Sequence, residues 1–131
     1  MKPLTREWIK KAENDFKVAA QILQRRKDIV PDAACFFCQQ CVEKYLKAKL
    51  VEAGISFQRT HDLLSLLNLC VQAEPLWTAY AQIADDMTDF AVDFRYPGHS
   101  ATLSQAKLAL KHCRSLRAEV RRSLGLKKLK F

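Results

Sequence analysis

The sequence predicts an all-α fold, an antiparallel up-down bundle of four long helices plus one short helix, spanning residues 1–131 as a single domain. Three observations lead there. Glycine is scarce, at three residues in a chain of 131. Proline is confined to Pro3, Pro31, Pro75 and Pro97, which leaves long segments between breakers. No stretch keeps an apolar period of two for long, whereas apolar residues recur at helical spacing through most of the chain. With 49% hydrophobic residues, the chain has the size and composition for one domain around one core.

The first helix is expected from about Thr5, a candidate N-cap, to the RRKD stretch, with Ile9, Ala12, Phe16, Ala19 and Leu23 on one face. Pro31 suits a first turn and Gly54 a C′ position, so the second helix reads PDAACFFCQQCVEKYLKAKLVEA. It is apolar almost all round, through Ala34, Phe37, Cys38, Cys41, Val42, Tyr45, Leu46 and Leu50. Its one polar stripe is Gln40, Glu43, Lys44 and Lys47, at i, i+3, i+4 and i+7. Thr60 is the expected cap of the short third helix, HDLLSLLNLCVQA, which ends before Pro75.

The fourth helix is expected from Leu76, with Leu76, Tyr80, Ile83, Met87, Phe90 and Phe94 in one apolar seam. Asp85, Asp89 and Asp93 line another face, with Asp86 beside them. Like charges at i, i+4 cost about 0.2–0.5 kcal/mol per pair, so cations of the last helix are expected close by. That last helix, from about Thr102 to Leu124, is expected to bury Leu103, Ala106, Leu110, Cys113, Val120 and Leu124.

The net charge of +8 is unevenly spread. Residues 1–59 carry 12 Lys/Arg against 7 Asp/Glu, residues 60–94 none against 6, and residues 95–131 carry 10 against 1. A basic third of this kind attracts phosphates; a solvated helix face with a frayed LKKLKF tail accounts for the same charge. No apolar run approaches the ~20 residues that cross a bilayer, and MKPLTREWIKK lacks the apolar stretch of a signal peptide. A soluble, cytoplasmic protein with no membrane contact is expected. Cys35, Cys38, Cys41, Cys70 and Cys113 are an odd set, three of them on successive turns of one helix, where disulfide geometry is poor. They read as buried thiols rather than as ligands of zinc or of an iron–sulfur cluster, and no metal or cofactor is expected.

The polar residues that could act on phosphate are few. If the helices alternate in direction, the Thr60-His61 and Arg95-Tyr96-Pro97-Gly98-His99 loops share one end of the bundle, and Arg95, His99 and His61 gather near Lys47. Imidazole exchanges protons near neutrality and can take one from a ribose 2′-OH. Guanidinium offers phosphate a bidentate fork. The competing reading has Arg95 paired with Asp93 or another carboxylate of the fourth helix, and the turn doing no more than turning a corner.

The blocks AENDFKVAAQIL, CQQCVEKYLKAKLVEAG, THDLLSLL and RYP, in that order and over nearly the whole chain, resemble the HEPN domain family. The resemblance implies a dimerising bundle of about five helices that binds nucleotides or RNA. It further implies a possible metal-independent ribonuclease of toxin type, partnered by a separately encoded minimal nucleotidyltransferase. The family's ribonuclease motif is an Arg, four to six residues of which the first is polar, and a His. Carried over, its catalytic roles fall on Arg95 and His99, with Lys44, Lys47, His61 and Tyr96 as nucleotide- or phosphate-binding candidates. Here only three residues separate Arg95 from His99, and Tyr96 holds the polar position.

Two alternatives stand beside it. Asp85, Asp89 and Asp93 could hold Mg²⁺ for phosphoryl chemistry, although i, i+4, i+8 carboxylates span ~12 Å on one helix. Alternatively, the chain is a non-catalytic bundle that docks a nucleotidyltransferase. A homodimer is expected because Phe36, Trp77 and Phe94 look exposed beyond what one small bundle buries.

Overall fold

Pro31 opens and Gly54 closes the helix around which the others pack, Gly54 adopting the left-handed conformation (φ +71°) that a residue with a Cβ resists. In the computed structural model, which describes residues 1–129, the chain is all-α, as the sequence predicts. Five helices are described: α1 Pro3–Gln24, α2 Pro31–Ala53, α3 Leu63–Cys70, α4 Ala81–Thr88 and α5 Leu103–Ser123. There is no strand among the described residues. Lys130 and Phe131 of the LKKLKF tail lie outside them. No described helix is long and apolar enough to cross a membrane.

Helix α2 is the core. Cys35, Cys38, Cys41, Val42, Tyr45, Leu46 and Leu50 are all fully buried, against Ala12, Phe16 and Ala19 of α1 and Ala106, Cys113, Leu116 and Val120 of α5. The five cysteines are free thiols inside this core, as their spacing suggests. Burial pushes the Cys35 thiol up to about 12, with the Asp32 charge adding to the shift, and it pushes Cys70 up to about 12 against the pull of Lys49.

Contacts along α2 set the direction of each neighbour. Glu13 of α1 meets Tyr45 while Thr5 meets Glu52, so α1 is antiparallel to α2. The Ala101 amide donates to Asp32 at 2.6 Å and Lys49 donates to Ser123 at 2.6 Å, so α5 follows the direction of α2. The loop after Gly54 runs back beside α2, placing the His61 carbonyl at Gln39 and Cys70 at Leu46. Helix α3 therefore also runs with α2, and direction does not alternate at this connection. The loops before α3 and α5 nonetheless meet the same N-terminal half of α2.

Several local expectations are corrected. Helix α1 starts at Pro3, and Thr5, the expected cap, is buried with its hydroxyl donating to Glu52 at 2.9 Å. Asp62 rather than Thr60 caps α3, accepting from the Ser65 amide at 3.2 Å. The long fourth helix is broken into a 3-10 segment Pro75–Tyr80, the short α4, and 3-10 segments Asp89–Ala91 and Asp93–Arg95. Thr88 ends α4 by donating back to the Ala84 carbonyl while accepting from the Leu63 amide of α3, a competition with the helix ladder that its hydroxyl makes possible. The following Asp, Val and Phe residues are poor helix formers that do not override it. Leu76 is consequently 86% exposed, and Leu103 lies outside the core.

The aspartates Asp85, Asp86, Asp89 and Asp93 pair with no cation of α5 among the described residues; Gln82 donates to Asp86 instead. Trp77, expected at the surface, is 2% exposed and donates to Glu119 at 2.8 Å, while Phe36 and Phe94 are half-buried.

Candidate functional site

One face of α2 carries Phe36, Gln40, Glu43 and Lys47, about one turn apart. The sequence marks the last three as a polar stripe open to solvent. The structure turns much of it inward. Glu43 and Lys47 are 3% and 6% exposed and form an ion pair at 3.1 Å, with the Lys47 ammonium 5.3 Å from the Trp8 ring centre. The other oxygen of Glu43 accepts from His61 Nδ1 at 2.8 Å and from Gln39 Nε2 at 3.3 Å. Gln39 Nε2 also donates to the His61 carbonyl at 3.0 Å, and Gln40 donates to Gln39 at 2.7 Å. Two charges removed from water are tolerated only where further hydrogen bonds complete them, and Gln39 and His61 do so here. No buried side-chain polar atom among the described residues lacks a partner.

Arg95 lies toward the N-terminal end of the same stripe. The 3-10 segment Asp93–Arg95 packs on α2 and sets the exposed guanidinium over the Phe36 ring, 5.0 Å from its centre. Among the described residues neither Asp93 nor any other carboxylate pairs with Arg95, so the competing ion-pair reading does not hold. Tyr96 beside it is 60% exposed. The chain then turns at Pro97 and at Gly98, whose φ of +100° suits a residue without a side chain, and docks by Ala101 to Asp32 before the Thr102–Gln105 capping box opens α5. His99 is exposed in this turn and makes no side-chain hydrogen bond among the described residues.

The six candidates thus divide. Arg95 and Tyr96 adjoin each other at Phe36, and His61 and Lys47 meet at Glu43. Lys44 is ion-paired with Asp15 at 2.5 Å, and His99 stands alone in the turn. Among the described residues no group of three or more His, Cys, Asp and Glu is placed to hold a metal, so the aspartates proposed for Mg²⁺ do not converge.

The chain matches the HEPN domain over residues 5–123, nearly its whole length. It belongs to the HEPN family. This HEPN protein is therefore a helical domain of nucleotide- or RNA-related type. No curated protein and no solved structure matches it.

Sequence reasoning missed the residues through which this HEPN domain holds its candidates. Phe36 as the platform for Arg95, and Gln39 as the brace of His61, are tertiary facts without a local signal. A second network was missed as well. Arg117 of α5 clamps Glu13 of α1 with two bonds of 2.6 and 2.7 Å and lies 3.9 Å from the Phe16 ring centre. Tyr45 donates to the same carboxylate, and Arg121 donates to Tyr45 at 3.2 Å. Burial raises the Glu13 carboxyl, but the hydrogen bonds from Arg117 and Tyr45 and the two arginine charges outweigh it, so the group lies below the ordinary carboxylate range. Its signal was legible: Arg117 interrupts the apolar stripe of α5, between Cys113 and Val120. A cleft of about 770 Å³ runs along the outer side of this region, lined by Tyr80, Arg114, Arg122, Lys128 and Leu129 among others. It lies toward the other end of α2 from Arg95, and two of its arginines, Arg117 and Arg122, already hold Glu13 and Glu119.

Proposed function

We propose that this HEPN domain binds the phosphates of single-stranded RNA at the patch formed by Phe36, Arg95 and Tyr96. The observation that carries the reading is the state of Arg95: exposed, over an aromatic ring at 5.0 Å from its centre, and without a carboxylate partner among the described residues. A cation–ring contact takes no carboxylate or carbonyl acceptor, so the guanidinium keeps its N–H donors for the fork geometry that phosphate oxygens accept. Single strands are held by this combination of cation and aromatic surface, since every base offers a face to stack on. Tyr96 supplies such a surface one residue away. The basic balance of residues 95–131 favours approach of a polyanion.

The same end exposes Val92 and Leu103, apolar area that a second copy of the chain would cover, making the RNA cleft one between protomers. The test is a titration of end-labelled single-stranded RNA with the full chain, read by fluorescence anisotropy over a range of salt. Saturable binding that weakens linearly in log–log form with salt supports phosphate contact. Absence of saturable binding at low salt, or binding indifferent to salt, contradicts it.

A further inference from the structure

We infer that the cleft at the C-terminal end of α5 binds a small organic anion, one carboxylate or phosphate head on an apolar body of acyl-chain type, at a site separate from the Arg95 patch. The cleft is made by the way α5 stops. The Gly125 amide donates to the Arg122 carbonyl at 3.0 Å and the Leu126 amide to the Arg121 carbonyl at 2.9 Å, the paired bonds that reverse a chain at a helix end. Arg121 Nε then donates to the Lys127 carbonyl at 3.1 Å, which ties the returning segment beside its own helix. Leu126, Lys128 and Leu129 are thereby brought into one lining with Arg114 and Ala118 of α5 and with Tyr80 of the 3-10 segment. The volume, about 770 Å³, lies within the ~300–1,000 Å³ of pockets that take a small molecule.

The charge of the lining selects the sign of the occupant. Arg114, Arg117, Arg121, Arg122 and Lys128 are its cations, and Glu119 is the one carboxylate among the described residues that line it. Arg122 holds Glu119 at 2.6 Å, and Arg117 holds Glu13, behind the lining, at 2.6 Å. Three cations are left over. Arg121 donates to the Tyr45 hydroxyl and the Lys127 carbonyl, both of them neutral. Arg114 lies 6.0 Å from the Phe16 ring centre, and neither it nor Lys128 pairs with a carboxylate among the described residues. An anion that enters meets uncompensated positive charge beside apolar walls of low dielectric, the arrangement that concentrates a field.

The rest of the lining selects the body. Tyr80, Ala118, Leu126 and Leu129 offer ring, methyl and isobutyl surface, which gains by losing water to an apolar occupant. No Asn or Gln amide stands among the described lining residues to pair with the edge of an adenine. Inorganic phosphate would leave the apolar surface wet, whereas an acyl anion covers it while its head rests on Arg114 and Lys128.

The probe is 8-anilinonaphthalene-1-sulfonate, an aryl anion whose fluorescence rises in apolar surroundings, titrated into the full chain and then displaced by competitors. Saturable binding at one site per chain is expected. Decanoate should displace the probe at least about tenfold more effectively than decanol, which lacks the head, or inorganic phosphate, which lacks the body. Arg114→Gln/Lys128→Gln should weaken the probe at least about tenfold, as should Leu129→Asp, which sets an anion in the lining. Ala118→Trp fills the cleft with its charges kept and should exclude the probe. All four positions are exposed, so each variant should melt as wild type does. Arg95→Ala should bind the probe unchanged. No saturable binding overturns the assignment, as does binding unaltered in Arg114→Gln/Lys128→Gln or in Ala118→Trp. Displacement by decanol or by inorganic phosphate as effective as that by decanoate also overturns it. Adenosine monophosphate or single-stranded RNA displacing the probe better than decanoate would make the cleft a nucleotide or polyanion surface and overturn the acyl reading. Loss of the probe in Arg95→Ala would overturn the separation of the two sites.

Discussion

Replacing Lys47 by Met removes one partner of a buried pair and leaves Glu43, 3% exposed, with a charge inside the protein. Removing one partner of such a pair costs about 3–5 kcal/mol. Gln39 and His61 still donate to Glu43, and the His61 ring is in contact with water, so the low end of the range applies, about 3 kcal/mol. At roughly 2.1 cal/mol/K per residue, a chain of 131 residues has an unfolding entropy of about 0.28 kcal/mol/K, so Tm should fall by about 11 °C. The double variant Glu43→Leu/Lys47→Met exchanges the pair for apolar groups of similar volume. It should recover to within about 1–2 kcal/mol of wild type, since the pair's attraction is largely offset by its desolvation. Urea unfolding followed by far-UV circular dichroism gives all four corners of the cycle. A Lys47→Met loss below about 1 kcal/mol, or a double variant less stable than the single one, would refute the buried-network argument.

Three further outcomes are expected. Because burial is outweighed by Arg117 and Tyr45 at Glu13, its folded pKa lies below its unfolded one; its contribution is full above the ordinary carboxylate range and is lost as pH falls through the folded value. Glu13→Gln should therefore be less stable by about 1.5–3 kcal/mol at neutral pH and approach wild type as pH falls through the folded value of Glu13, in urea titrations at each pH; a constant difference would contradict it. The five buried thiols should react with a disulfide reagent in urea and not in the native state, because all five lie inside the core out of a reagent's reach; fast native labelling of any of them would show that the core opens. Light scattering should give a dimer at tens of micromolar, and Val92→Asp should make it a monomer; a wild-type monomer contradicts the exposed-patch argument.

What the sequence conveyed well was local. Pro31 and Gly54 bound α2 because each fixes or frees φ at a helix end, and Thr102 with Gln105 announces α5 through a box whose bonds span three residues. The fourth helix misled because its apolar seam from Leu76 to Phe94 keeps helical spacing, while its break depends on Thr88 meeting the Leu63 amide of α3. The candidate site divides in the same way. Arg95 and His61 could be named from residue type and turn context. Their holders could not, since Phe36 precedes Arg95 by 59 positions and Glu43 precedes His61 by 18, and neither pairing follows until the loop after Gly54 is seen to run back along α2.

The claim that Arg95 holds phosphate is tested most directly by its removal. Anisotropy titration of single-stranded RNA should show Arg95→Ala weakened by about 1.5–3 kcal/mol, the range for a hydrogen bond to a charged group, or roughly 10- to 150-fold in Kd, with the thermal transition of wild type retained. His99→Ala should change binding less. An Arg95→Ala protein that melts as wild type does and binds RNA as tightly would contradict the account, placing any phosphate contact elsewhere on the chain.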